Sequence, residues 1–386
     1  MTESHDQIRD PTDAKHDPRA PQREQGVDKP LVSVVIPCYN QAHFLGEAIE
    51  SVLSQSYQRY EIIVVDDGSI DDTSEVASRY QKVRLIRQEN QGLSAARNAG
   101  LYQSRGEYVV FLDADDRLLP EALEVGVKEL DAHPECAFAF GYHTNIAIDG
   151  SPLATSHPPH NEPDQYLALL HRCYIRMHAV MYRRSVFETV GGFDTSLGAS
   201  EDYDMYLRIT REYPVHYHGE VVAEYRRRHG KNMTGNPALI LSTSVSVHRS
   251  QRKHVRGNRQ YEEAYEAGLR RRQWTHGDRV VGEVRTHVRE HEWKLALRSV
   301  LVLLRYYPRG LPLLLLSERR MGQRRPTRRL QALVRELEVR EGRLKESEDP
   351  QEESGSALAR ERHEVQLLKR RIQRLERRVQ NLDQQP

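Results

Sequence analysis

Short β-branched apolar runs that end abruptly in acidic residues constrain this chain more than any other feature. Ile62 to Val65 leads straight into Asp66-Asp67-Gly68-Ser69, and Val109 to Leu112 into Asp113-Ala114-Asp115-Asp116. Brief, continuous apolar runs bounded by turn residues mark strands buried on both faces, as in a parallel sheet. A carboxylate that follows such a strand stands at the carboxyl edge of the sheet, where open α/β sheets bind their ligands. A third acidic pair, Glu201-Asp202, opens a helix-like stretch farther along.

From Val32 to about residue 140 strand-like and helix-like segments alternate. Val32 to Ile36 is followed by a helical pattern through Phe44, Leu45, Ala48, Ile49, Val52 and Leu53. The strands Ile62 to Val65, Val83 to Ile86 and Tyr108 to Leu112 come next, with helices from about Leu93 and from Pro120. This alternation predicts a doubly wound α/β sheet. Between Gly141 and Ser200 the pattern weakens to a polar stretch (Ser151 to Asp164), a short helix at Tyr166 to His171 and a strand at Ala179 to Tyr182, a place for an acceptor-binding region. After residue 236 the chain reads as helical, with Tyr261 to Trp274 and Val280 to Leu304 as a helical pair. Beyond basic Arg319 to Arg329, the spacing of Val365, Leu368, Ile372, Leu375, Val379 and Leu382 is that of a coiled-coil seam or of a lone helix folded back on the body. The expected division is a disordered tail (1–29), a catalytic α/β domain (30–235), a helical region (236–320), and a basic linker with coiled-coil segments (321–386).

Lysines and arginines (57) nearly cancel aspartates and glutamates (56), so no global field points to a nucleic-acid partner. Cys38, Cys136 and Cys173 are too few and too scattered for a disulfide framework or a zinc site, which suits a reducing cytoplasm. The first 29 residues lack the apolar core of a signal peptide. Leu295 to Leu316 is broken by arginines and prolines, a pattern compatible with peripheral contact at a membrane but not with crossing one.

Asp113 and Asp115, two apart at a strand's exit, offer hard oxygen ligands suited to Mg2+ or Mn2+ on a diphosphate. Asp67 can accept hydrogen bonds from a base or ribose, while Asp66 and Ser69 equally well only steady the Asp-Gly turn. Gly92 and Arg97, in Asn90-Gln91-Gly92-Leu93-Ser94-Ala95-Ala96-Arg97-Asn98, either present amides and a cation to phosphate or leave Arg97 in a structural ion pair. Asp202 is either a general base facing a hydroxyl or an ordinary acidic residue at a helix start.

Together the phrases VSVVIPCYN, EIIVVDDGSIDDT, NQGLSAARNAG, GEYVVFLDADD, VGGFDTSLGASEDYDMYLR and YRRRHGKNMT resemble the family 2 inverting glycosyltransferases, over roughly Pro30 to Thr234. The resemblance implies a GT-A, Rossmann-like nucleotide-sugar-binding domain and a divalent metal. It implies transfer from a nucleotide-sugar donor, usually of uridine, to a saccharide or glycolipid acceptor hydroxyl. By the same resemblance Pro37, Tyr39 and Asn40 lie beside the nucleotide, Asp67 on the base, and Gly92 and Arg97 in the donor segment. Asp113 falls near ribose and phosphates, Asp115 is the principal metal ligand, Asp202 the catalytic base, and His229 approaches the metal or diphosphate. Family context adds a surface-polysaccharide or glycolipid pathway at the inner face of a membrane. Arg176 and His178, in Cys173 to His178, either face the acceptor or serve packing or lie at the surface. Two rivals are a nucleotidyltransferase of similar fold and a coiled-coil scaffold of a polysaccharide assembly complex, and the coiled coil also admits a homo-oligomer.

Overall fold

The computed structural model describes residues 29–155, 162–227, 236–314 and 365–366. Strands β1 (Val32–Cys38), β2 (Tyr60–Asp67), β3 (Val83–Gln88) and β4 (Tyr108–Phe111) alternate with helices α1 (Ala42–Leu53), α2 (Thr73–Ser78) and α3 (Leu93–Gln103). They pair in parallel, with Val34 opposite both Ile62 and Val110 and Val65 opposite Ile86. The segments that follow β1, β2 and β4 therefore leave the sheet at one edge. Successive residues face opposite sides of a strand, and here both sides are covered. Val34, Ile36, Ile62, Val64 and Val110 pack with α1, whereas Val35, Ile63, Val65, Val109 and Phe111 join a second apolar cluster on the other face.

The second half of the sheet departs from the doubly wound expectation. It comprises β5 (Arg117–Leu118), β6 (Phe138–Ile146), β7 (Pro152–Leu153), β8 (Val180–Arg183) and β9 (His216–Arg226), with helices α4 (Ala122–Ala132), α5 (Gln165–His171), α6 (Val186–Val190) and α7 (Glu201–Glu212). The strand order is β3-β2-β1-β4-β8-β6-β9-β5, with β7 paired to β6. Strand β8 runs antiparallel to β4 and β6, so the sheet is mixed. The sequence reading missed β6 and β9. Their ladder shifts register between Phe140 and His143, and Gly141 lies so close to β9 that a Cβ there would stand 2.3 Å from the Glu220 carbonyl oxygen. That irregularity removes the clean alternation by which strands are recognised.

Helices α8 (Pro237–Ser250), α9 (Arg252–Val255), α10 (Arg259–Arg289) and α11 (Trp293–Tyr306) complete the body. Asn236 and Asn258 cap α8 and α10 by accepting from the amides of Leu239 and Tyr261. The expected helical pair is present with a different break. Helix α10 runs unbroken through Trp274 and Val280, and the chain reverses after Arg289, where His291 adopts φ 61°. Residues through Gly310 form one unit, and a second runs from Leu311, with a short helix α12 (Leu311–Leu314). The N-terminal residues 1–28 and the coiled-coil seam lie outside the described residues, apart from helical Val365 and Gln366. No described helix is long and apolar enough to cross a membrane.

Candidate active site

The loops after β1 and β2 are tied together by short polar side chains. The Asn40 amide donates to Ser69 Oγ (3.0 Å), and the Ile70 amide donates to Asn40 Oδ1 (2.9 Å). Asp66 accepts from the Ser69 amide and the Ser74 hydroxyl, which makes it the turn-holding residue. Gly68 has φ 76°, and a Cβ there would meet the Asn90 nitrogen at 2.7 Å, so only glycine fits. Asp71 accepts from the Ala42 amide at the start of α1 and from the amide and hydroxyl of Thr73 at the start of α2, filling donors that helix ends leave unpaired.

Asp67, the expected base contact, is 3% exposed and largely occupied by the chain itself. It accepts from Gln88 Nε2 (2.8 Å), the Gln91 amide (2.9 Å) and the Gly92 amide (2.8 Å). A carboxylate has about four acceptor positions, so one remains for a ligand. Gly92, at φ 89°, leads into α3. Pro37 is buried in β1, and Tyr39, at the strand's exit, is 48% exposed.

Arg97 of α3 joins two of the acidic motifs. Only 2% exposed, it places one guanidinium nitrogen 2.7 Å from Asp113 Oδ1 and another 2.6 Å from Glu201 Oε1, with the Phe193 ring beneath it. Burial opposes its charge, but Asp113 and Glu201 outweigh that and hold it protonated. Of the two roles open to Arg97 in the sequence, the structural ion pair is the one observed, and the cation points at carboxylates rather than outward. Its partner Glu201 stood out in the sequence only as half of an acidic pair at a helix start, where an ordinary explanation suffices, and its link to Arg97 was not foreseen.

Asp202 is the next residue of α7 and is only partly exposed. Its Oδ1 accepts from the Tyr203 amide at 2.7 Å. Burial, and then the charge of Glu201, push its pKa up to about 6, against the pull of Arg176 and Arg97. Such a carboxyl can take a proton near neutral pH. Behind it, the Tyr203 hydroxyl lies 3.0 Å from His248 Nδ1 on α8, and Arg272 of α10 sits 4.2 Å over the Tyr203 ring. The helical region thus supports the helix that carries Asp202.

The acidic loop after β4 is held from below. Arg226, 1% exposed, donates through Nε to the Asp115 carbonyl and through its amide to Asp116, and its guanidinium reaches Glu47 of α1. His178 lies 2.9 Å from Asp116 Oδ2 and stacks on Tyr225. Burial lowers its pKa to about 4, so it is neutral. Of the alternatives left open for these two residues, His178 is packed in the interior and Arg176 is exposed.

Asp113 and Asp115, both partly exposed, form a hard oxygen donor set that fits Mg2+ or Mn2+. The Arg97 pair uses Oδ1 of Asp113, which leaves Oδ2 for an ion. His229 lies outside the described residues.

Residues 33–191 match the profile of Glycosyl transferase family 2. This is a family 2 glycosyltransferase domain. An uncharacterized glycosyltransferase of Rickettsia felis is 34% identical over 205 residues, covering 51% of this chain and 34% of that protein. The chondroitin synthase of Escherichia coli is 31% identical over 207 residues, covering 53% of this chain and 30% of the synthase. The chain thus spans about a third of the length of these curated relatives. Among solved structures, S. aureus TarS 1-349 in complex with UDP-GlcNAc superposes with a TM-score of 0.51 at 19% identity, covering 62% of this chain and 70% of TarS. At that identity the likeness speaks for the fold, and it fits a GT-A, Rossmann-like glycosyltransferase domain with added helices.

Proposed function

We propose that this family 2 glycosyltransferase moves a sugar from a UDP-sugar to an acceptor hydroxyl in the synthesis of a surface polysaccharide or glycolipid, with inversion at the anomeric carbon. The observation that carries this reading is the Asp113–Arg97–Glu201 bridge, which brings the acidic loop after β4 and the helix bearing Asp202 to one crevice. Polysaccharide synthesis is supported by similarity to chondroitin synthase.

The acceptor oxygen bonds to the anomeric carbon as the bond from that carbon to the diphosphate breaks. The electron pair leaves with the diphosphate, and the acceptor's proton passes to Asp202. Asp113 and Asp115 would hold Mg2+ or Mn2+, which supplies positive charge to the leaving diphosphate. Arg97 fixes Asp113 in place, Asp67 holds the Gly92 turn beside the donor and offers its remaining acceptor position to the base, and Tyr39 lines the same edge. Exposed Arg176, close enough to act on Asp202, suits a polar acceptor or the donor's phosphates.

The test is transfer and donor binding with UDP-, GDP- and dTDP-sugars, with and without Mn2+. Wild type is expected to respond to a UDP-sugar only with metal, Asp115→Ala to lose binding and transfer, and Asp202→Asn to bind donor without transferring. Full turnover in Asp202→Asn would overturn the base assignment.

Peripheral membrane contact belongs to the same reading. Trp293, Leu297, Leu301 and Leu304 recur on one side of α11 at 50–60% exposure, with exposed Arg298 and Arg305 beside them, while Ala296, Ser299 and Leu303 are buried. A helix of this kind suits an anionic lipid surface. Loss of vesicle co-sedimentation in Leu297→Glu/Leu301→Glu would support it; unchanged sedimentation would remove it. Light scattering of the chain with and without residues 321–386 tests coiled-coil assembly.

A further inference from the structure

We propose that Glu129, His133 and His216 form a second metal site, for a zinc-class divalent cation, at the carboxyl end of α4. Glu129 lies in the last turn of α4, and His133, its C-cap, folds back so that its Nδ1 reaches the Glu129 carbonyl. His216, the first residue of β9, is brought against them. One ligand atom from each of the three lies within 4.8 Å of the other two.

The finer geometry favours a metal over a simple hydrogen bond. His216 Nε2 is 3.2 Å from Glu129 Oε2. Two ligands each ~2.0–2.1 Å from a tetrahedral zinc stand about 3.4 Å apart, close to that spacing. A His–Glu hydrogen bond would need only those two residues, yet a third ligand is aimed at the same point. His133 Nδ1 lies 2.9 Å from the Glu129 carbonyl oxygen, to which it can donate, leaving Nε2 with its lone pair. Metal-bound histidines are oriented in just this way by a carbonyl behind them. The two imidazoles stack at 3.7 Å with planes 18° apart. A metal lies in the plane of each imidazole that binds it, so the two rings must turn out of this stack to share one ion.

Arg183 donates to the carbonyls of Leu130 and His133, which fixes the end of α4 on the sheet. The frame is therefore rigid on the helix side, and an ion would fasten the start of β9 to it. Two imidazoles and one carboxylate select zinc, nickel or copper over magnesium. The ion would differ in kind from the one expected at Asp113 and Asp115. A second group, His287, Glu290 and Glu292, has a weaker claim, because hydrogen bonding to Glu292 raises the His287 pKa, against the neutral form a metal needs.

The experiment is titration of the metal-free full-length chain with Co2+, read by the visible absorption of tetrahedral cobalt, and with Zn2+, read by thermal stability. The expected result is a tetrahedral spectrum and a raised Tm that persist in Asp115→Ala and His287→Ala. His216→Ala and His133→Ala should each weaken the site beyond the ~10–100-fold typical of outer-shell changes. Glu129→Gln, which keeps size and helix propensity, guards against a variant that fails to fold and should weaken binding as well. Unchanged affinity in Glu129→Gln, or a cobalt spectrum that vanishes in Asp115→Ala, would overturn the proposal.

Discussion

The two sides of the crevice hold their carboxylates in opposite ways. On the side of β1 and β2, Asp66, Asp67 and Asp71 accept from donors of their own loops and helix ends, and they shape backbone. On the side of α7, Asp202 has the Tyr203 amide as a donor, a like charge in Glu201 beside it and a pKa raised to about 6. Donor-rich loops make rigid edges for a ligand to lie on, whereas a carboxyl short of donors is reactive. The same residue type is thus frame or reagent according to how many hydrogens point at it.

Several experiments would break or sharpen this contrast. The largest effect is expected from Asp202→Asn, a loss of ~10²- to 10⁴-fold in turnover with donor affinity little changed. The same variant should be no less stable than wild type at neutral pH. Because the folded pKa is raised, the stability tied to the protonated carboxyl is fully present below its unfolded value and is lost as pH rises through about 6. Removing the charge removes that loss, and Tm against pH for both proteins measures it. The rate of wild type should in turn fall as pH drops through about 6, where the base becomes protonated.

Next in size is Arg97→Met, which leaves Asp113 and Glu201 buried or half-buried without their cation. Breaking a buried pair in this way costs about 3–5 kcal/mol, measurable by denaturant unfolding, and should weaken donor binding and turnover together. His248→Phe is expected to cost about 1–3 kcal/mol, by removing the ring's two hydrogen bonds, to the Tyr203 hydroxyl and the Tyr265 carbonyl, while the hydroxyl keeps the Leu169 carbonyl, and to lower turnover without altering donor affinity. An equal fall in donor affinity would show that the two sides are not separable. The smallest effect belongs to Asp71→Ala, about 0.5–2 kcal/mol for lost helix-end bonds, with turnover near wild type.

The parallel half of the fold was legible because Val32 to Ile36, Ile62 to Val65 and Tyr108 to Leu112 are nearly pure apolar runs with turns behind them. Strands β6 and β9 were not, since glycine, histidine and tyrosine interrupt them and their pairing slips register. Among site residues, the sequence singled out Asp113, Asp115 and Asp202 by motif. It could not show that Asp67 is engaged by the Gly92 turn, that Arg97 faces two carboxylates, or that Arg226 braces the acidic loop from a strand over a hundred residues away. Those facts depend on long-range contacts, and a composition or a period carries no record of them. The spacing of Glu129 and His133 was a readable signal, but its third member lies across the fold.

The bridge between Asp113, Arg97 and Glu201 bears on how such a chain can change over generations. Three charges with a single cation among them tolerate no lone replacement: loss of the arginine leaves two anions facing inward, and loss of either acid alters the pull on the other. Substitutions here are expected to be tolerated in pairs or not at all, so a random-mutation library should return compensated doubles at these positions far more often than their single-site survivors would suggest. Such epistasis would join residues a hundred positions apart in sequence into one inherited unit.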